Sequence, residues 1–146
     1  ENEEEVFINF WDLYNQESYY TFNKIYIRGS HGIILTYDIT KRRSFESINY
    51  RLERIKEDFK DILLFALVGL KSDLFYEEEV REEEARKFAQ DNNMLFYLTS
   101  AKEDIDVENC FKGIINEIII KEEIKNENNN IIKLKRKRAG KRGCLK

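Results

Sequence analysis

Four groups of polar residues stand directly after apolar runs: Asp12, Asp38, Lys71 to Asp73, and Ser100 to Lys102. In an open α/β sheet, ligands bind outside the carboxyl ends of the strands, so these are the places to look for chemistry. A carboxylate there can accept hydrogen bonds from a ligand, each worth roughly 1.5–3 kcal/mol when one partner is charged. Each group also has a plain reading. An aspartate leaving a strand is usually a turn or cap residue, and a loop lysine is usually only solvated. His31, between Ser30 and Gly32, is the single histidine, which leaves His-based metal or triad chemistry little to stand on.

The elements that must position these residues are legible as alternating patterns. Val6–Trp11 reads as a strand, followed by a polar stretch ending at Arg28-Gly29. Gly32–Ile39 and Ile62–Gly69 are almost continuously apolar, as strands covered on both faces should be. Between them, Phe45, Ile48, Leu52, Ile55 and Phe59 recur at helical spacing in Ser44–Lys60. Glu82–Asn92 reads as a helix with Ala85, Phe88 and Ala89 on one face, and Leu95–Thr99 as a fourth strand. Asp106 is placed to cap a last helix whose inner face is expected to hold Val107, Phe111, Ile114, Ile115 and Ile118. Strands alternating with helices predict an α/β fold with a mainly parallel sheet.

At 146 residues, with 42% hydrophobic and 13% aromatic content, the chain fits one domain with a packed core. There is no proline and no internal repeat. Net charge is −3, but residues 131–146 carry eight Lys or Arg and no acid, leaving 17 basic and 28 acidic residues before them. An acidic body of −11 with a basic end argues against a nucleic-acid-binding domain and for an interacting tail. The polar run Asn126–Asn130 reads as a solvated linker, so the expected division is a globular unit over 1–125 and a linker with polybasic tail over 126–146. Two cysteines give no disulfide framework, and a reducing compartment is expected. Cys110, among helix-pattern apolar residues, is expected in the core. No run reaches the roughly 18 apolar residues a membrane span needs. The acidic start Glu1 to Glu5 does not read as a signal peptide.

The ordered motifs carry a resemblance. Trp11-Asp12-Leu13-Tyr14-Asn15-Gln16-Glu17 is similar to W-D-T-A-G-Q-E, and Tyr26-Ile27-Arg28-Gly29-Ser30 to Y-Y-R-G-A. Tyr37-Asp38-Ile39-Thr40 with Ser44-Phe45 matches Y-D-I-T…S-F, Lys71 and Asp73 match N-K-x-D, and Ser100-Ala101-Lys102 matches S-A-K. In this order and spacing they resemble the Rab branch of the Ras-like small GTPases, over roughly residues 6–120. The fold implied is a P-loop NTPase-type small G domain, a mainly parallel sheet flanked by helices. This sequence would lack that domain's first two strands, first helix and phosphate loop.

The resemblance implies a role for each matching residue. Asp73 would accept two hydrogen bonds from the guanine edge, and Lys71 would lay its stem along the base. The backbone N–H of Ala101, in the Ser100-Ala101-Lys102 loop, would meet the guanine carbonyl, with Lys102 packing from the other side. Asp12 would reach Mg²⁺ through water, and Gln16 would orient the attacking water for GTP hydrolysis. Trp11 and Tyr26 would belong to an aromatic effector surface, with core packing as the even alternative.

Three departures bear on those roles. No G-x-x-x-x-G-K-S/T phosphate loop occurs in the sequence. That loop supplies backbone N–H donors, a lysine and a Mg²⁺ ligand, which base contacts alone do not replace. Asn15 stands where the family has the glycine that senses the γ-phosphate, and Leu70 stands for the Asn of N-K-x-D. In the family, Val6–Trp11 pairs with the absent first strand, so the isolated chain is expected to be unstable.

Lys133, Lys135, Arg136, Lys137, Arg138, Lys141 and Arg142 crowd before Cys144. A basic run is most often only a solvated tail or an import signal; the resemblance implies a prenylated cysteine, and near an anionic leaflet the two together would make a two-signal anchor. The ending Cys144-Leu145-Lys146 departs from C-a-a-X by one residue. The reading that results is a GTP/GDP switch of vesicle traffic, with Mg²⁺, effectors, an exchange factor and a GTPase-activating protein as partners. It would be cytoplasmic and peripheral on the cytosolic face of an endomembrane. The rival reading is a degenerate, nucleotide-free interaction protein tethered by its basic tail.

Overall fold

The computed structural model describes residues 6–13 and 20–139, with the backbone alone for 20–23 and 128–139. The chain folds into a three-stranded parallel sheet flanked by helices, with strands β1 (Gly32–Asp38), β2 (Leu64–Leu70) and β3 (Leu95–Thr99) in the order β1-β2-β3. Register runs from Gly32 opposite Leu64 to Asp38 opposite Leu70, and from Ala66 opposite Leu95 to Leu70 opposite Thr99. The strand ends Asp38, Leu70 and Thr99 therefore lie along one edge of the sheet.

The helices are α1 (Tyr20–Ile27), α2 (Arg42–Asp58), α3 (Glu82–Asp91) and α4 (Val107–Ala139), with a 3₁₀ turn at Ser72–Glu77. Because side chains alternate along a strand, β2 sends Leu67 to one face and Leu64, Ala66 and Val68 to the other. The first face packs on α2 and α3 through Phe45, Ile48, Leu52, Ile55, Ala85 and Ala89. The second packs on α4 through Cys110 and Ile114, with Ile34, Leu95, Tyr97 and Ile118 at its margin. β2, covered on both sides, is the most continuously apolar strand, as sheets buried on two faces require.

Two close approaches fix the layers. A Cβ on Gly69 would stand 2.5 Å from Leu98 Cδ2 and 2.8 Å from the Tyr37 hydroxyl. A Cβ on Gly113 would meet the Tyr97 hydroxyl at 2.0 Å, so the glycine lets α4 lie directly on β3. Cys110 is buried, as its apolar surroundings predict.

Four expectations differ from the structure. Val6–Trp11 is not a strand, because no described strand offers it a ladder partner and a lone strand cannot satisfy its backbone in a sheet. Its rings pack sideways instead, Phe10 on Phe111 with centroids 5.1 Å apart and Trp11 on Tyr26 at 4.9 Å. The stretch read as merely polar contains α1, which ends on Gly29 at φ +86, the left-handed position glycine fills without strain. There Arg28 N–H bonds to Lys24 O at 3.1 Å and Ser30 N–H to Ile27 O at 3.0 Å.

The inner face of α4 is Cys110, Gly113, Ile114 and Ile118, whereas Phe111 is 41% exposed and turned toward Phe10. Last, the helix runs on through Asn126–Asn130, where a linker is expected. At the start of α4, Asp106 gives its carbonyl to Cys110 N–H at 3.0 Å, while its carboxylate takes the side-chain amide of Asn109 at 3.0 Å.

Candidate functional site

β1 delivers Asp38 to the carboxyl edge of the sheet. Asp38 Oδ1 accepts from Thr40 N–H at 3.0 Å and from the Thr40 hydroxyl at 2.7 Å. Its Oδ2 lies 2.6 Å from Lys71 Nζ, and the side chain is only 13% exposed. Partial burial pushes the Asp38 carboxyl upward, but the Lys71 ammonium and the two Thr40 donors outweigh it and hold the group below the usual range. Ser44 Oγ accepts the Asp38 N–H at 3.0 Å and donates to Lys41 O at 2.6 Å, tying the strand end to the start of α2.

β2 delivers the second group. Lys71 takes φ +65, a left-handed conformation that turns the chain sharply out of the strand into the 3₁₀ turn. Leu70, the last strand residue, is 37% exposed at this edge. Asp73 follows in the first turn, with Oδ1 accepting the Ser100 hydroxyl at 2.6 Å.

β3 delivers the third. Ser100 is fully buried, and its backbone pairs with Ile105 through bonds of 3.0 and 2.9 Å. Its hydroxyl also accepts Glu103 N–H at 3.2 Å, so Ser100 both closes the loop on itself and steers Asp73. Ala101 and Lys102 stand exposed on that loop, and Lys102 Nζ pairs with Glu103 at 3.1 Å.

The result is two linked pairs, Asp38–Lys71 and Asp73–Ser100, at adjacent strand ends. The second oxygen of Asp73 has no partner among the described residues, which leaves a charged acceptor free to receive donors from a planar ligand. The Lys71 stem, held at its tip by Asp38, is a ready apolar rail beside that acceptor.

Of the residues singled out by sequence, Lys71, Asp73, Ser100, Ala101 and Lys102 come together. Asp12 is exposed and makes no bond to either pair among the described residues. Trp11, 61% exposed, and half-buried Tyr26 stack on each other. Gln16 and Asn15 lie outside the described residues, as does Cys144. No group of three or more His, Cys, Asp or Glu side chains suited to a metal occurs among the described residues.

The Asp38–Lys71 pair and its Thr40 and Ser44 supports are the part sequence reasoning missed. The local signal was present, since an aspartate two residues before a threonine is the pattern of a side-chain turn. The partner 33 residues away was not deducible from spacing.

The family model that matches this chain is that of the Ras family, over residues 1–120. Ras-related protein RGP2 of Oryza sativa subsp. japonica is 37% identical over 108 residues, covering 74% of this chain and 50% of the relative. GTP-binding protein ypt3 of Schizosaccharomyces pombe is 38% identical over 108 residues, with the same coverage of 74% and 50%. Ras-related protein Rab-13 of Rattus norvegicus is 36% identical over 111 residues, 76% of this chain and 55% of that protein. The chain spans about half the length of the curated relatives it matches.

Proposed function

Because the chain belongs to the Ras family of small GTPases, on its Rab-like side, we propose that its strand-end loops are the guanine-recognition part of a GTP/GDP switch in vesicle traffic. The observation that carries this reading is the 2.6 Å bond from the buried Ser100 hydroxyl to Asp73. It holds one Asp73 oxygen and aims the other at the space where a guanine edge, with two adjacent N–H donors, fits an acceptor-only group. Adenine presents no such donor pair. Lys71 and Lys102 supply walls for the base, and the Ala101 N–H faces its carbonyl.

These residues fit the base end of GTP or GDP. The phosphates and Mg²⁺ need donors of another kind, and the 146 residues contain no phosphate-loop motif to supply them. On this reading Asp12 would lie on the Mg²⁺ side and Gln16 would orient the hydrolytic water, once the phosphates were held by such a loop. Bound Mg²⁺ supplies charge neutralisation at the phosphates. Effectors, an exchange factor and a GTPase-activating protein are the expected partners, with Trp11 and Tyr26 on the effector side. The basic tail, with Cys144 prenylated, holds the protein peripherally on the cytosolic face of an endomembrane. Among the described residues no helix is long and apolar enough to cross a membrane.

Leu70 favours a second reading, a nucleotide-free interaction protein, since it puts an apolar side chain where the family uses an amide. One experiment separates the two. Native full-length protein is denatured and the supernatant analysed for nucleotide by ion-exchange chromatography. Stoichiometric GDP or GTP, lost in Asp73→Asn, supports the switch. Protein that is folded yet free of nucleotide, and that gains none on incubation with GDP and Mg²⁺, refutes it.

A further inference from the structure

The segment after Asp73 holds two large aromatics that the nucleotide chemistry does not use. Phe75 is 53% and Tyr76 89% exposed, and their rings lie on each other with centroids 3.8 Å apart at 38°. Carboxylates border them. Glu77, Glu78 and Glu83 are exposed and form no ion pair among the described residues. Their neighbours are engaged: Glu79 accepts Arg42 N–H at 2.6 Å, Glu82 pairs with Arg86, and Glu84 grips the Arg42 guanidinium at 2.5 Å. Arg81 is the one exposed cation between the two acidic runs. A charge run alone is usually a solvated face. Two exposed rings inside it are not explained that way, because ring faces and carboxylates attract the same ligand, a Lys or Arg chain carried with apolar neighbours.

The same chain carries that complement. Ile131, Ile132 and Leu134 lead into Lys135, Arg136, Lys137, Arg138, Lys141 and Arg142, with no acid among them. α4 carries the start of the tail, as far as Ala139, away from that patch. Ile118 packs where a Cβ on Gly32 would stand, 2.7 Å from it, so α4 runs antiparallel to the strands. From there the helix continues to Ala139, about 30 Å beyond the amino ends of the sheet. Phe75 and Tyr76 lie past the carboxyl ends.

We propose that Phe75 and Tyr76, with Glu77, Glu78 and Glu83, form a docking surface for residues 131–142 of a second copy of this chain. Patch and tail are different surfaces, so the contact is head to tail, not two-fold. It is independent of the nucleotide reading.

The test uses full-length protein and a fluorescent peptide of residues 131–142, followed by anisotropy, with sedimentation velocity for the protein itself. The peptide is expected to bind, more weakly as salt rises, and the protein to associate with concentration. Glu77→Lys with Glu78→Lys should weaken peptide binding by about tenfold or more, and Phe75→Ala with Tyr76→Ala comparably. These are surface positions, and circular dichroism confirms that the variants fold. Replacing Lys135 to Arg138 by Glu in the peptide should restore binding to the Lys variant. Binding unchanged in both variants overturns the proposal. So does equal binding of a peptide with Ile131, Ile132 and Leu134 replaced by Ser, or protein that stays monomeric while the peptide goes only to anionic vesicles.

Discussion

Replacing Tyr37 by phenylalanine should make this protein more stable. The Tyr37 ring is 1% exposed, packed edge-on against Phe45 with centroids 5.0 Å apart, and its hydroxyl sits over Gly69. That hydroxyl has no hydrogen-bond partner among the described residues. A buried polar group without a partner costs about 1–3 kcal/mol of lost hydration. Phenylalanine removes that cost and keeps the ring contacts, while the small void left behind offsets a few tenths of a kcal/mol. The expected net gain is about 1 kcal/mol, or roughly 4 °C in Tm for a domain of this size.

Alkali sharpens the test. Burial, then the carboxylates of Glu82, Glu78 and Glu84, pushes the Tyr37 pKa far above the tyrosine range. In the unfolded chain it titrates near 10. Above about pH 10 the unfolded state sheds a proton that the folded state keeps, so wild-type stability falls as pH rises. The phenylalanine variant lacks that component, and its advantage should widen between about pH 9 and 11. Urea titrations of both proteins across that range give the answer. A variant less stable than wild type, with a gap independent of pH, would show that the hydroxyl is satisfied, for instance by an internal water.

Three further predictions concern the strand ends. Ser100→Ala should cost about 1–3 kcal/mol in stability and, by freeing Asp73 to rotate, should speed guanine-nucleotide release in a stopped-flow displacement assay. Asp38→Asn should cost about 1–2 kcal/mol near neutrality. Because the folded Asp38 carboxyl sits below its usual value, that deficit should be present above about pH 4 and shrink as pH falls through the folded pKa, read by urea titration in acid. Leu70→Asn, which rebuilds the family's amide, should tighten GDP binding by about fivefold, equivalent to one hydrogen bond of about 1 kcal/mol. Unchanged affinity by calorimetry would show that an amide at this position makes no contact with the base.

Where the sequence was informative, the reason was local. Leu64–Leu70 is apolar almost throughout because it lies between the α2 and α3 layer on one face and α4 on the other. Phe45, Ile48, Leu52 and Ile55 repeat because one stripe of α2 meets the sheet. The Asp73 and Ser100 motifs were readable because each follows a strand directly.

What misled was non-local. Val6–Trp11 has strand composition, but a strand exists only through its neighbour. Phe111 fits the helical period, yet Gly113 shifts the buried stripe by letting Tyr97 approach α4 there. The Lys71–Asp38 pair depends on which strands lie side by side, which periodicity does not encode.

The far half of α4 has a property that neither helix nor linker describes alone. It continues as helix through Asn126, Asn128, Asn129 and Asn130, although asparagine is a poor helix former. The last 20 residues of α4 span about 30 Å as helix. It is thus a helical spacer that stands the basic residues from Lys133 to Arg138 well clear of the folded body.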